Sequence, residues 1–211
     1  MIRALWRWLT GATAPTEPTP ASRAAEPASA PAPADAPDAP DVDDADDSPD
    51  APAALPGLPF LIRPFEPADG PALVAVFQAA VHTTAADHYD ANQRAAWAAG
   101  ADTPGFQEAL ADGLTMVAEW DGRPAAFAQL VERRVTFVYV HPEAARLGIA
   151  TLLYHHLEDE ARIRGLDELV TEASLVARDF FTFLGFEVDG EESVQRRGVS
   201  LPRWRMRKRL A

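Results

Sequence analysis

The stretch from Val135 to Arg164 constrains the fold most. Val135-Thr136-Phe137-Val138-Tyr139-Val140 is a run of strand formers that ends at His141-Pro142, because proline has no N–H to give a strand ladder. A helix-period segment follows after Ala144-Ala145-Arg146-Leu147-Gly148-Ile149-Ala150-Thr151 and reaches about Arg164. Gly148 and Ala150 keep Cβ bulk away from the first helical turn. The first N–H groups of a helix have no intrahelical partner, and the macrodipole makes that end positive. A strand, a tight turn and a small-residue helix start therefore predict an anion cradle of the phosphate-binding kind. The turn has neither the Lys-Ser/Thr of a P-loop nor the three glycines of a dinucleotide fold.

The chain joins two different polymers. Residues 12–57 are mostly Ala, Pro and Asp, with ten acids against the single base Arg23, and they carry −9 of the formal net charge of −13. Such a segment buries too little apolar area to offset its ordering entropy, so 12–59 is expected to be a disordered linker. Residues 1–11 precede it as a short amphipathic segment. Ile2, Leu5, Trp6 and Leu9 share a stripe beside Arg3 and Arg7, which suits a membrane surface or a partner's groove, or else a frayed tail. The domain expected to fold, 60–211, is only mildly acidic, which argues against a nucleic-acid surface.

The chain contains no cysteine, which excludes disulfides, thiolate zinc sites and a cysteine nucleophile. No apolar run reaches the length of a membrane span, and Met1–Leu9 is too short for a secretory core, so a cytoplasmic location is expected.

Within 60–211 the pattern predicts β-α-(α)-β-β-β-α-β-α-β-β. Phe60–Phe65 opens as a strand, Asp69 is placed as an N-cap, and Leu73, Val76, Phe77 and Ala80 form a helical stripe. Residues 82–105 read as polar and broken, followed by a short helix over Gln107–Ala111 that stops at Gly113. Leu114–Trp120 and Pro124–Val131 flank Asp121-Gly122, a hairpin signal. After the long helix, Gly165 is the expected C′ residue. Leu166–Thr171 is a strand and Leu175–Leu184 a helix, with Gly185 as its stop. Phe186–Val194 and Leu201–Leu210 close the fold around Arg197-Gly198. Apolar residues on both faces of the middle strands require helices on both sides of the sheet.

This order, with the anion turn after the fourth strand, resembles the GNAT superfamily of acyl-CoA-dependent N-acetyltransferases across 60–211. The family turn runs Gln/Arg-x-x-Gly-x-Gly/Ala after Val-x-Pro. Here it is Val140-His141-Pro142, then Ala145-Arg146-Leu147-Gly148-Ile149-Ala150. The second family block, Asn-x-x-Ala-x-x-Phe-Tyr-x-x-x-Gly-Phe, corresponds to Ser174-Leu175-Val176-Ala177-Arg178-Asp179-Phe180-Phe181-Thr182-Phe183-Leu184-Gly185-Phe186. Val194–Val199 with Trp204-Arg205-Met206 is similar to one bacterial branch of the family. Three positions depart from the pattern: Ala145 for Gln/Arg, Ser174 for Asn, and Phe181 for the Tyr that in many members protonates the leaving thiolate.

The resemblance implies an α/β (α+β) GNAT fold, a mixed sheet of about seven strands flanked by helices on both faces. It implies acetyl-CoA as co-substrate, no metal, and direct attack by an amine. The cofactor set it implies is Val138, Val140, Arg146, Leu147, Gly148, Ile149, Ala150, Thr151, Ser174 and Phe181. A positioned carboxylate, or a water chain leading to one, suits the removal of the amine's proton. Glu172 is the candidate, because alternation puts it on the same side as Ser174. Tyr139 is the other candidate for base or acid. His82, His88, Tyr89 and Trp97 fall where the family places its acceptor pocket. His155 and His156 are adjacent on a helix and point about 100° apart, so they do not pair as ligands.

The expected acceptor is a small-molecule or peptide amine, and the chain is expected to be a monomer or homodimer. The alternatives are a non-catalytic acyl-CoA sensor with a recruiting arm, and a protein-lysine or N-terminal acetyltransferase.

Overall fold

The computed structural model describes residues 60–101 and 103–210; the amphipathic segment 1–11 and the linker 12–59 lie outside the described residues. The strands are β1 (Phe60–Pro64), β2 (Leu114–Trp120), β3 (Arg123–Val131), β4 (Arg134–Val140), β5 (Glu168–Ser174), β6 (Glu187–Arg196) and β7 (Val199–Arg209). The helices are α1 (Gly70–Ala79), α2 (Ala91–Ala98), α3 (Pro104–Leu110), α4 (Ile149–Ile163) and α5 (Arg178–Phe183). The strands form one seven-stranded sheet in the order β1-β2-β3-β4-β5-β7-β6. Every neighbouring pair is antiparallel except β4 and β5.

The tight hairpins lie where the turn chemistry placed them. Asp121 and Gly122 both have positive φ, 53° and 70°, and so do Arg197 and Gly198, 49° and 80°. A two-residue loop in that region matches the twist of the strands it joins. Gly113 has φ +79°, and a Cβ there would stand 2.5 Å from the Leu130 carbonyl oxygen, so both conformation and space demand glycine.

β3 is buried from Ala125 to Val131, as a central strand covered on both faces must be. On one face α4 buries Ile149, Leu153, Leu157 and Ala161 against β2, β3 and β4. Each of the larger side chains contributes roughly 1.5–3 kcal/mol by leaving water. On the other face α1 and α3 enclose Phe77, Phe106, Phe127 and Phe137, whose neighbouring rings lie 5.2–6.4 Å apart in tilted or edge contacts.

Three local expectations are corrected. The 82–105 stretch contains a true helix, α2, started by a capping box: Gln93 N–H donates to Asp90 Oδ1 (2.8 Å), and Asp90 N–H donates to Gln93 Oε1 (3.0 Å). Its face is mostly alanine, too weak a stripe to register as amphipathic. Asp69 stands at the N-cap position of α1 without capping it. Its carboxylate instead receives Arg63 at 2.7 Å on each oxygen and the Glu66 N–H at 2.9 Å. The Arg63 hydrogen bond holds Asp69 below the usual carboxylate range, against the opposing effect of burial. Finally, α5 begins at Arg178, because Ser174 and Ala177 first close a turn.

Candidate functional site

The site is a gap in the sheet, and a single extra residue opens it. β4 and β5 pair only at Arg134↔Val170 and Val135↔Thr171. On the other side of β4, Val135 lies opposite Leu130 and Phe137 opposite Gln129, which leaves Thr136 as a bulge. A bulge bends its strand and increases the local twist. Here it turns the remainder of β4 away from β5.

Gln129, fully buried, holds the bulge. Thr136 Oγ1 donates to Gln129 Oε1 at 2.6 Å, while Gln129 Nε2 donates to the Ala109 and Asp112 carbonyls at 2.5 and 2.7 Å. The end of α3 and the bend in β4 are thus joined through one amide.

The bulge also changes which edge the backbone groups face. His141 N–H donates to Ala125 O (2.7 Å), toward β3. By alternation the N–H groups of Val140 and Val138 face the opposite edge, into the gap. The gap therefore has backbone donors along one wall, with no β5 strand pairing against them.

At one mouth lies the turn before α4. A 3-10 turn, Pro142–Ala144, leads to Arg146 (φ 65°) and Gly148 (φ 79°), after which α4 begins at Ile149. Two left-handed residues in three turn successive N–H groups the same way, a concavity suited to an anion, and the first-turn N–H groups of Ile149, Ala150 and Thr151 add to it. A Cβ built on Gly148 meets nothing within 4 Å, so the protein itself leaves the approach to these groups open. The Ile149 side chain is buried in the core, so only its N–H is offered; Leu147 is 48% exposed.

Two cavities follow the gap, and both touch Val138, Tyr139, Ser174, Ala177 and Trp97. The one near the turn, about 220 Å³, is mostly apolar and reaches Val140, Ala145, Ala150 and Phe180. The one toward β6 and β7, about 100 Å³, reaches Glu172, Phe181, Tyr89, Arg196 and Arg203. Ser174 Oγ accepts the Ala177 N–H (3.3 Å), which orients its hydroxyl at the junction. Phe181 is buried against Phe180 and Phe186 and has no proton to give.

Glu172 and Ser174 share a strand face and both line the second cavity, while Glu172 forms an ion pair with Arg134. Tyr139 stacks on Phe127 and meets Phe77 in a tilted contact. Burial drives its phenol far above the ordinary range, against a smaller opposing effect of the hydrogen bond from the Trp97 indole. Tyr89 is buried, donates to Pro202 O (2.7 Å) and accepts the Leu175 N–H (3.0 Å), so it ties the wall of the cavity together. His82 and His88 are exposed and line neither cavity.

Arg134, Arg196, Arg203, Thr136 and Gln129 were not singled out from sequence. Strand alternation puts Glu192, Val194 and Arg196 on one face of β6, the only local signal for Arg196. The rest depend on cross-strand register. Among the described residues no cluster of three or more His, Asp or Glu has the geometry to hold a metal.

A parallel pair that separates beside an open helix N-terminus, with backbone donors along the gap and ionisable groups at its far end, suits an extended ligand that carries an anion at one end. Residues 85–210 match the family described as the Acetyltransferase (GNAT) domain. The chain is 34% identical over 146 residues to the uncharacterized N-acetyltransferase YafP of Escherichia coli, across 69% of this chain and 93% of that one. A GCN5-related N-acetyltransferase from Rhodopseudomonas palustris superposes with TM-score 0.66 at 32% identity, covering 71% of this chain and 94% of that one. The putative acetyltransferase YncA of Salmonella typhimurium, solved with acetyl-CoA, gives TM-score 0.51 at 25% identity over 72% and 94%. The chain belongs to the GNAT acetyltransferase family and is an acyltransferase.

Proposed function

We propose that the domain binds acetyl-CoA along the β4–β5 gap and transfers its acetyl group to an amine entering from the β6–β7 end. The observation that carries this is the unpaired edge of β4, which faces Val138 and Val140 N–H groups into a gap ending at the Arg146–Thr151 turn. The fit is good at both ends. Pyrophosphate oxygens meet the N–H groups of the turn, with Arg146 as a nearby cation, and the narrow apolar cavity takes the extended arm between Val138, Val140 and Ala177. Acetyl-CoA supplies the thioester. The protein supplies position, a donor for developing charge, and a path for protons.

An alkyl amine has a pKa near 10, so at pH 7.4 only about one molecule in several hundred is neutral and able to attack. Glu172 takes the ammonium proton, directly or through one water. Arg134 pairs with that carboxylate and holds it in place between turnovers. The amine nitrogen then attacks the thioester carbon. Negative charge grows on the carbonyl oxygen, and the Val138 N–H stabilises it; one preorganised donor lowers such a barrier by about 3 kcal/mol.

The carbon–sulfur bond breaks and the sulfur leaves as thiolate. With Phe181 unable to protonate it, the adjacent Tyr139 phenol, protonated at neutral pH, donates to the thiolate and recovers a proton from the nitrogen of the collapsing intermediate, while Glu172 releases the first proton to water. The products are the N-acetyl amide and free CoA. The acceptor is a small amine or the amine of a peptide.

Thiol release from acetyl-CoA across a panel of amines tests the whole scheme. Glu172→Gln tests the base: the acid limb of the pH–rate profile disappears and kcat/KM falls by at least about 100-fold. An unchanged profile removes Glu172 from the mechanism.

A further inference from the structure

The donor and the base of the proposed transfer belong to strands that have parted. Val138 N–H is on β4 and Glu172 on β5, and the two strands pair only as far as Val135↔Thr171. Val138 lies about 10 Å along β4 beyond that last rung, at the usual rise of an extended chain. Glu172 is the residue just past it on β5. Whatever fixes the fork therefore fixes the distance between donor and base.

Side chains hold the fork from both faces of the sheet. On β5, Thr171 is buried, and its hydroxyl donates to the Val135 carbonyl oxygen at 2.9 Å. Thr171 stands opposite Met206, which belongs to the core beneath α4, so this bond is made away from water. Neighbours on a strand point to opposite faces, so Glu172 projects from the other side, where Arg134 pairs with it across the fork. On β4, the Thr136 hydroxyl donates to Gln129 Oε1 at 2.6 Å and fixes the bulge from the β3 side. Val135, Thr136, Thr171 and Glu172 all line the cavity that runs toward β6 and β7.

Strand formation does not require these hydroxyls. Valine has nearly the same shape, is as good a strand former, and brings no polar group that must be satisfied. What a hydroxyl adds is direction. Apolar packing has no preferred angle, whereas a hydrogen bond fixes both a distance and an angle. Each threonine aims that bond at the neighbouring strand, Thr171 at β4 and Thr136 at β3.

Resting on the acetyl-transfer reading above, we propose that Thr171 and Thr136 are positioning residues for the transfer. Thr171 stops the β4–β5 pairing at one rung, and Thr136 sets the angle at which β4 leaves it. The Val138 N–H then meets the thioester oxygen while Glu172 faces the attacking amine. Neither threonine touches the reacting atoms. A slip at the fork grows along the unpaired part of β4, and a misplacement of about 1 Å at the reacting centre costs on the order of 100-fold in rate. The pyrophosphate end of the carrier is held elsewhere, at the turn before α4, so CoA affinity should not sense the fork.

Thr171→Val and Thr136→Val remove the hydroxyls at nearly constant shape, and Thr171→Ser and Thr136→Ser keep them. Thiol release from acetyl-CoA is measured with benzylamine, ethanolamine and a dipeptide as acceptors. In the valine variants kcat should fall by about 10–100-fold. The calorimetric Kd for CoA should stay within about three-fold, and the serine variants should return kcat to within about three-fold of wild type. A purely structural role would lower the melting temperature and leave kcat of the folded protein unchanged. The infrared carbonyl stretch of bound, carbon-13-labelled acetyl-CoA reads the Val138 end without turnover. It should lie below that of free acetyl-CoA in the wild type and in Thr136→Ser, and return toward the free value in Thr136→Val.

Wild-type kcat in folded Thr171→Val, a CoA Kd that weakens as much as kcat falls, or the same carbonyl stretch in wild type and Thr136→Val overturns the assignment. The two sites are read separately, so a valine variant that fails to fold at one leaves the other to decide. Absence of turnover by the wild type with every amine refutes the transferase scheme instead, and the carbonyl stretch then decides the fork alone.

Discussion

Substituting Gly148 separates the stability of the turn from its use as an anion cradle. The residue has φ +79°, so any L side chain there is strained, yet a Cβ meets no protein atom within 4 Å. Gly148→Ala therefore costs only the left-handed conformation, about 1–2 kcal/mol. For a domain of this size that lowers Tm by roughly 2–8 °C.

CoA binding should fall much further. The new methyl group stands among the N–H groups that reach the pyrophosphate, and each charge-assisted bond is worth about 1.5–3 kcal/mol. Losing one or two raises the Kd of CoA by about 10- to 1000-fold or more. Pantetheine lacks the pyrophosphate, so its affinity should change by less than about three-fold. Calorimetry with both ligands, and circular dichroism to verify folding, decides the matter. A folded Gly148→Ala protein with the wild-type Kd for CoA refutes the cradle. An equal loss for pantetheine shows that the substitution acted through general distortion instead.

Arg134→Gln removes the cation beside Glu172, so the carboxylate becomes easier to protonate. The acid limb of the rate profile should move to higher pH, and a shift to lower pH contradicts the pairing. Glu158 is buried among Lys208 (2.7 Å), Arg162 (2.7 Å) and the Tyr154 hydroxyl. Burial raises its pKa, but the hydrogen bonds from Lys208 and Arg162 outweigh that and leave it lowered. A lowered carboxylate stabilises the fold above its unfolded pKa and loses that contribution as pH falls through the folded value. Lys208→Met should therefore cost about 2–4 kcal/mol in urea at pH 7 and distinctly less at acid pH. Gln129→Leu removes the amide shared by Ala109 O, Asp112 O and the Thr136 hydroxyl, leaving Ala109 O its bond from the Asp112 N–H and Thr136 only a long contact to the Gln129 backbone carbonyl. Denaturation should show a loss of about 2–4 kcal/mol, and a neutral substitution refutes the role of the amide as a tie.

Most features that depended on residues close in the chain were legible in the sequence. Asp121-Gly122, Arg197-Gly198, Gly165 and Gly185 make turns because backbone freedom is a local property, and all of these except Asp121 and Arg197 are glycines with φ above +69°. The Val140–Thr151 turn and the Ser174–Phe186 block were readable for the same reason. α2 was missed although its Asp90/Gln93 capping signal was present, because its alanine-rich face relies on docking to β7 rather than on its own periodicity.

What the sequence by itself determined was the order of the strands, the position of the left-handed turn before α4 and the family they specify. The tertiary structure alone decided where the gap opens and what surrounds its far end. Thr136 is an ordinary strand residue until Leu130 and Gln129 pair on either side of it and leave it unmatched. Glu172 is one acid among many until β4 brings Arg134 across to it, and Tyr89 is one tyrosine of three until Pro202 O and the Leu175 N–H take up its hydroxyl. Register and charge balance are sums over residues tens of positions apart, so no window along the chain contains them.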